Sequence, residues 1–326
     1  MPDPAGLSVA LATYNGARYV DEQIESILSQ VPPPAELVIA DDGSTDGTVE
    51  VALAASARHD LRPTVLGPAA TAGVTANFER AVVATSRPLV ALSDQDDRWH
   101  PGRIAALTAR FDADPALLLL HTDARLVDAA GAPLGRTLFE SLEVGDHEFA
   151  DEESGRAFQA FLRRNLATGA TVVFRRDLLE VARPFPPEWV HDEWLAIVAA
   201  AVGRVAVVRE PTIDYRQHGA NEIGVDAPTF RRKLSRVLEP RGARNRDLAT
   251  RFGILADRLA ALGTRVPPHY LEAARAKAAF ESRRAAFAPN RLRRLLPVVR
   301  LAFSGDYGRY ASRGRADIVR DLLQPA

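Results

Sequence analysis

Apolar residues along this chain come in short buried runs separated by amphipathic stretches. "LSVALA" (Leu7–Ala12) predicts a buried strand, and "YVDEQIESILSQ" (Tyr19–Gln30) a helix stopped by the prolines at 32–34. "ELVIAD" (Glu36–Asp41), "PTVLG" (63–67) and "PLVALSD" (Pro88–Asp94) predict further strands, with helices over Thr48–Ala57 and Val74–Ala84 between them. A helix with Pro101 near its first position comes next, where a missing N–H costs nothing. "ALLLLHTDARLVD" (Ala116–Asp128) is a fifth strand, and "DAAGAPLG" turns the chain back. From about Glu140 to Gln159 the sequence is acidic and irregular, and "EVGDHEFADEESG" (Glu143–Gly155) reads as a loop. "GATVVF" (Gly169–Phe174) then predicts a strand, "HDEWLAIVAAAVG" (His191–Gly203) a helix, and "VAVVREPTIDYRQHG" (Val205–Gly219) a strand pair. After Asp226 the pattern is helical and arginine-rich. Strands alternating with helices predict a mainly parallel sheet covered on both faces, with its ligands at the carboxyl ends of the strands. Two regions follow: residues 1–226 as an α/β domain, and 227–326 as a basic helical extension.

Charge sharpens that division. Of the 326 residues, 47% are apolar and 25% charged, and the formal net charge is −1. Residues 1–230 hold 19 basic and 34 acidic side chains, a net of −15, and residues 231–326 hold 22 and 8, a net of +14. Cysteine is absent, which excludes disulfides, thiolate metal sites and a cysteine nucleophile. The first residues have no basic segment ahead of an apolar run, so no signal peptide is expected, and no stretch approaches the roughly 20 apolar residues of a membrane span.

The carboxylates carry the chemistry. "ADDGSTDGT" (Ala40–Thr48) places Asp41 and Asp42 at a strand end. Asp, Gly and Ser are also what a strand-to-helix turn uses, and Asp46 can cap the next helix. "SDQDD" (Ser93–Asp97) sets three aspartates at another strand end, where their repulsion calls for a cation. A hard divalent ion that keeps waters and shares phosphate oxygens is the natural complement. A helix cap at Asp97 or Asp94 accounts for one of the three. In "HDEW" (His191–Trp194), Asp192 or Glu193 is either first-turn dressing of a helix or a general base for a hydroxyl nucleophile. "YRQHG" (Tyr215–Gly219) adds Arg216, Gln217 and His218 after a strand.

Taken in order, "VALATYNG", "VIADDGSTDGT", "ALSDQDDRW", "HDEW" and "YRQHG" resemble the motifs of family-2 glycosyltransferases, in particular the bacterial rhamnosyltransferase-like branch, over residues 7–224. The resemblance implies a GT-A type nucleotide-diphosphate-sugar-binding fold. It also implies an inverting sugar transfer dependent on Mn2+ or Mg2+. Carried over residue by residue, Thr13, Tyr14 and Asn15 line the base and ribose, and Asp42 contacts the nucleobase. Asp94 and Asp96 form the acidic motif, with Asp96 as the metal ligand and ribose contact falling to Asp94 or Gln95. Asp192 matches the catalytic base, with Glu193 as competitor. His218 falls at a further diphosphate or metal contact, and Trp194 and Gln217 near the acceptor. The donor implied is dTDP-rhamnose or a UDP-sugar, and the acceptor a glycan or lipid-linked saccharide. Apart from the resemblance, the absence of cysteine is compatible with a cytoplasmic setting, and the basic C-terminal region with peripheral contact at the inner face of the membrane.

A metal-bridged diphosphate with a separate base favours transfer over glycoside hydrolysis, which needs neither metal nor nucleotide pocket. Three other classes differ in what they require. A sugar nucleotidyltransferase wants a glycine-rich, lysine-containing phosphate loop, and none stands near residue 10. A phosphatase using Asp94 as nucleophile lacks an evident lysine partner. A binding-only scaffold has no use for Asp192. "NRLRRLLPVVRLAF" (Asn290–Phe303) suits an anionic membrane surface. Helices packed on the catalytic domain or on another subunit would use the same composition, and Pro297 interrupts the run. Nucleic acid is not expected, because the basic region has few aromatics.

Overall fold

The computed structural model describes residues 5–69, 73–218 and 242–325. They divide into two compact units, Met1–Gly155 with Leu166–Val225, and Arg156–Asn165 with Asp226–Ala326. The expected boundary at residue 226 lies outside the described residues.

The first unit is built on one nine-stranded sheet. Its strands are β1 (Ala5–Thr13), β2 (Pro34–Asp41), β3 (Thr64–Leu66), β4 (Leu89–Asp94), β5 (Arg98–Trp99), β6 (Leu117–Val127), β7 (Pro133–Thr137), β8 (Val173–Arg175) and β9 (Arg204–Arg216). They run in the order β3-β2-β1-β4-β8-β6-β9-β5, with β7 paired to β6. β3, β2, β1 and β4 are parallel, as are β6 and β9, while β8, β7 and β5 join antiparallel. The sheet is thus mostly parallel, as the strand–helix rhythm predicts. The helices are α1 (Val20–Leu28), α2 (Thr48–Ala57), α3 (Val74–Ala84), α4 (Arg103–Ala113), α5 (Leu138–Ser141) and α6 (Asp146–Glu153). A short α7 (Ala157–Arg163) belongs to the second unit, and α8 (Leu179–Ala182) and α9 (His191–Val202) to the first.

Register explains where a ligand can sit. The order of strands reverses at β1, with β2 on one side and β4 on the other. That is a topological switch point, where crossovers diverge and leave a crevice. Thr13 pairs with Asp41, and Ala12 with Asp94, so the three carboxyl ends lie side by side. Leu7, Val9 and Leu11 alternate into a core shared with Ile24, Ile27, Ile39, Leu107 and Phe111. Each such side chain contributes about 1.5–3 kcal/mol on burial.

Four expectations are corrected. The stretch Glu143–Gly155 is not a loop throughout, since α6 occupies most of it. Glu148 accepts the Gly145 N–H at 3.0 Å, and Glu152 meets His121 inside the core at 2.7 Å. Val205–Arg216 forms one long strand within β9 rather than a pair, and Glu210 with Pro211 falls where its register with β6 slips. Such a slip admits a proline that donates no ladder hydrogen bond. "GATVVF" opens as a 3-10 turn, Gly169–Thr171, before β8. The helix after Pro101 begins at Arg103 behind Gly102 in a left-handed conformation, so neither Pro101 nor Asp97 starts it.

The second unit is helical. Beyond α7 it holds α10 (Arg244–Leu262), α11 (Pro268–Ala285), α12 (Arg291–Phe303), α13 (Asp306–Tyr310) and α14 (Ala316–Leu323). Phe280, Phe287, Val298, Leu301 and Tyr307 form its core. Buried charges are paired inside it: Lys277 with Glu281 at 2.7 Å, and Arg284 with Asp321 at 2.7 Å and Glu281 at 3.1 Å. α12 runs through Pro297 without ending.

Candidate active site

Glycine and small polar residues shape the loops above β1, β2 and β4. The Asp41 side chain accepts hydrogen bonds from Gly43 N–H (3.0 Å), Ser44 N–H (2.8 Å) and the hydroxyls of Thr13 (2.8 Å) and Ser44 (2.6 Å). These bonds hold its own turn, which leaves Asp42 for the crevice. Asp46 accepts from the Thr48 N–H and hydroxyl and from the Ala17 N–H, tying the start of α2 to the loop after β1. Asn15, at φ 47°, fastens the same loop: its N–H donates to Ser44 Oγ, and its Oδ1 accepts from Thr45 N–H.

These ends open a cleft of about 470 Å³, lined by Thr13, Tyr14, Asp42, Asp94, Gln95 and Asp96 on one set of elements and by Thr168, Gly169, His191, Asp192 and Tyr215 on others. Its size lies within the roughly 300–1,000 Å³ of small-molecule sites. Tyr14 is more than half exposed at its mouth. The Gln95 carboxamide clamps the Tyr14 backbone at both ends, accepting from its N–H at 2.8 Å and donating to its carbonyl at 2.9 Å. A side chain at Gly16 would overlap that carboxamide. Asp42 accepts the Gly73 N–H at 2.8 Å, at the start of α3.

The three neighbouring aspartates have separate environments. Asp94 and Asp96 line the cleft. Asp96 Oδ2 lies 2.7 Å from His218 Nε2, and His218 stacks on Tyr19 at 4.9 Å. Arg216 lies over the same ring, donating to the Asp96 carbonyl and to Glu22. Burial pushes the Asp96 carboxyl above its ordinary range, against the pull of His218. Asp97 points inward and accepts the Arg216 N–H at 3.0 Å. Burial, then the charges of Asp96 and Asp94, push its carboxyl well up. Asp97 is therefore no helix cap but part of a buried charge set with Arg216 and Arg103, and the Asp97 charge opposes the fall of Arg103 on burial.

Asp192 stands in the first turn of α9 and is held by two backbone donors, Gly169 N–H at 2.8 Å and Glu193 N–H at 2.6 Å. Both anchors favour a fixed carboxylate at the cleft wall. Glu193 is not among the cleft-lining residues, nor is Gln217, whose N–H donates to the Val127 carbonyl. Trp194 is fully buried and its indole N–H donates to Ala182, so this expected acceptor contact belongs to the core. His191 was not singled out by the sequence. It is buried against Phe78 at 3.9 Å, lines the cleft, and neither ring nitrogen has a hydrogen-bond partner among the described residues. Burial pushes its pKa down to about 3, so it is a neutral imidazole.

A divalent ion fits part of this donor set. Among the described residues no group of three or more His, Cys, Asp or Glu side chains converges. Asp96 and His218, 2.7 Å apart, would offer such an ion two protein donors, leaving the rest of its shell to phosphate oxygens and water.

The same architecture is found in known proteins. The model of Glycosyl transferase family 2 matches residues 8–182, more than half of the chain. An uncharacterised glycosyltransferase of Nostoc sp. is 27% identical over 221 residues, 66% of this chain and 66% of that protein. An uncharacterised Mycobacterium tuberculosis protein, 28% identical over 70% of this chain, is matched over 63% of its length, so the chain spans just under two thirds of both relatives. A dTDP-rhamnosyl transferase of Shigella flexneri is 24% identical over 70% of this chain and 78% of its own, a distance that does not show the branch. In structure, S. aureus TarS in complex with UDP-GlcNAc superposes with a TM-score of 0.59 at 16% identity, covering 97% of this chain and 89% of that one. The Pyrobaculum calidifontis mannosyltransferase in complex with GDP-Man and Mn2+ gives 0.50 at 21% identity, covering 99% and 88%. The strand-end cleft, its carboxylates and the GT-A-like sheet thus have one common account: the chain belongs to glycosyl transferase family 2.

Proposed function

We propose that the protein is an inverting, metal-dependent hexosyltransferase that moves a sugar from a nucleotide-diphosphate donor to a hydroxyl of a glycan or lipid-linked saccharide. The observation that carries this reading is a single cleft uniting Asp42, Asp94 and Asp96 at strand ends with Asp192 on a separate helix. Thr13, Tyr14 and Asp42 receive the nucleobase side, with Tyr14 kept in place by Gln95. Asp94 takes the ribose or a metal-bound water. Asp96 and His218 would hold Mn2+ or Mg2+, which when bound supplies Lewis-acid stabilisation of the charge that builds on the leaving diphosphate. Asp192 accepts the acceptor hydroxyl proton as the oxygen attacks the anomeric carbon, and displacement from the far side inverts that centre. Its two backbone anchors fix the receiving carboxylate without a rearrangement.

A dTDP-activated sugar, L-rhamnose first, is the favoured donor, supported by the motif resemblance and the Shigella flexneri relative. UDP- and GDP-sugars, bound by the structural neighbours, are the next to try. The test is nucleoside diphosphate release across a donor panel, with and without added Mn2+ or Mg2+. Release from one donor, abolished by chelator, is expected. Metal-independent release, or none from any donor even with saccharide acceptors present, counts against the reading.

A further inference from the structure

α12 carries apolar side chains on its exposed face as well as on its buried one. It buries Arg294, whose guanidinium donates to the Gln324 carbonyl, together with Val298 and Leu301. It exposes Leu292 (83%), Leu295, Leu296, Val299 and Phe303 (89%). Those five recur at steps of three and four, one continuous stripe of a helix. The exposed arginines Arg291, Arg293 and Arg300 share the helix with the stripe, and the helix has no acidic residue. α14, which packs against α12, adds exposed Val319 and Leu323. A contiguous exposed apolar stripe marks an interaction surface.

We infer that this face of α12 is a docking surface for an anionic lipid bilayer, with the leucines and Phe303 entering the headgroup–acyl boundary and the arginines meeting lipid phosphates. Charge selects this occupant. A second copy of the chain applied to the same face would set arginine against arginine, whereas a negatively charged surface neutralises all three. Among the described residues no helix is long and apolar enough to cross a membrane, so contact is made along the surface. The inference stands apart from the proposed transfer reaction, since it uses no residue of the cleft.

Sedimentation of the full chain with vesicles tests it, comparing phosphatidylcholine alone with phosphatidylcholine containing phosphatidylglycerol. Binding is expected only to the anionic vesicles, weakening as salt is raised. The variant Arg291→Gln/Arg293→Gln/Arg300→Gln should lose roughly a hundred-fold in affinity. Leu295→Glu/Leu296→Glu should abolish binding while leaving the thermal unfolding midpoint and nucleotide binding unchanged, because these side chains already face solvent. Equal binding to neutral vesicles, or none to either, overturns the inference. So does a light-scattering mass of two chains that the glutamate variant halves in the absence of vesicle binding, since the face then joins copies.

Discussion

Three aspartates within four residues have three environments, and these assign them different work. Asp97 is inward, paired to the Arg216 backbone, while Asp94 and Asp96 stay in the cleft. Gly16 matters for the opposite reason, because its missing side chain leaves room for the Gln95 carboxamide. Gly16→Ala is expected to displace Gln95 and release Tyr14, raising the donor KM about ten-fold with a smaller change in kcat, as loss of ground-state binding requires; steady-state kinetics measures both. His191 gives a pH prediction. Its folded pKa of about 3 lies below the ordinary 6.5, so the unfolded chain binds the extra proton. Its contribution is complete above pH 6.5 and is lost as pH falls toward 3. Urea midpoints against pH should therefore show a shallower acid limb in His191→Gln than in the native chain, and parallel limbs would refute the assignment. That Asp42, Asp94, Asp96 and Asp192 line one cleft is in keeping with their places at strand ends and a helix start, which periodicity indicates, while the roles expected of them come from the family resemblance. The role of Asp97 was not legible in the sequence, because its partner stands 119 residues away, and His191 was missed because burial of an imidazole leaves no local signal.

At the scale of elements, what periodicity missed were helices whose buried positions are charged. α6 presents Phe149 to the core together with Glu148 and Glu152, so its inward face does not read as apolar. Glu152 is accommodated there by His121 on β6. Glu152→Ala leaves that imidazole without its carboxylate partner and opens a cavity, and should cost about 3 kcal/mol in chemical denaturation; a loss under about 0.5 kcal/mol, the ordinary surface value, would contradict the account. The single long β9 was hidden for another reason. Pro211 reads as a break, yet the register shift beside β6 lets the strand continue.

For the whole molecule, the strand–helix rhythm was enough to anticipate a mostly parallel sheet with its site at the carboxyl ends, while the antiparallel joins of β8 and β5 depend on long-range pairing that no local pattern records. The basic C-terminal part was legible as helical, but not its inside. Lys277 and Arg284 are paired with Glu281 and Asp321 within their own unit, and among the described residues its exposed large apolar side chains lie on α12 and α14. The central claim is that this fold brings a donor site and a separate base together for sugar transfer. Asp192→Asn tests it most directly, with turnover and nucleoside diphosphate affinity measured on the same protein. The account predicts that turnover falls by about 10²–10⁴-fold while nucleotide affinity is unchanged. Undiminished turnover in that variant would contradict it.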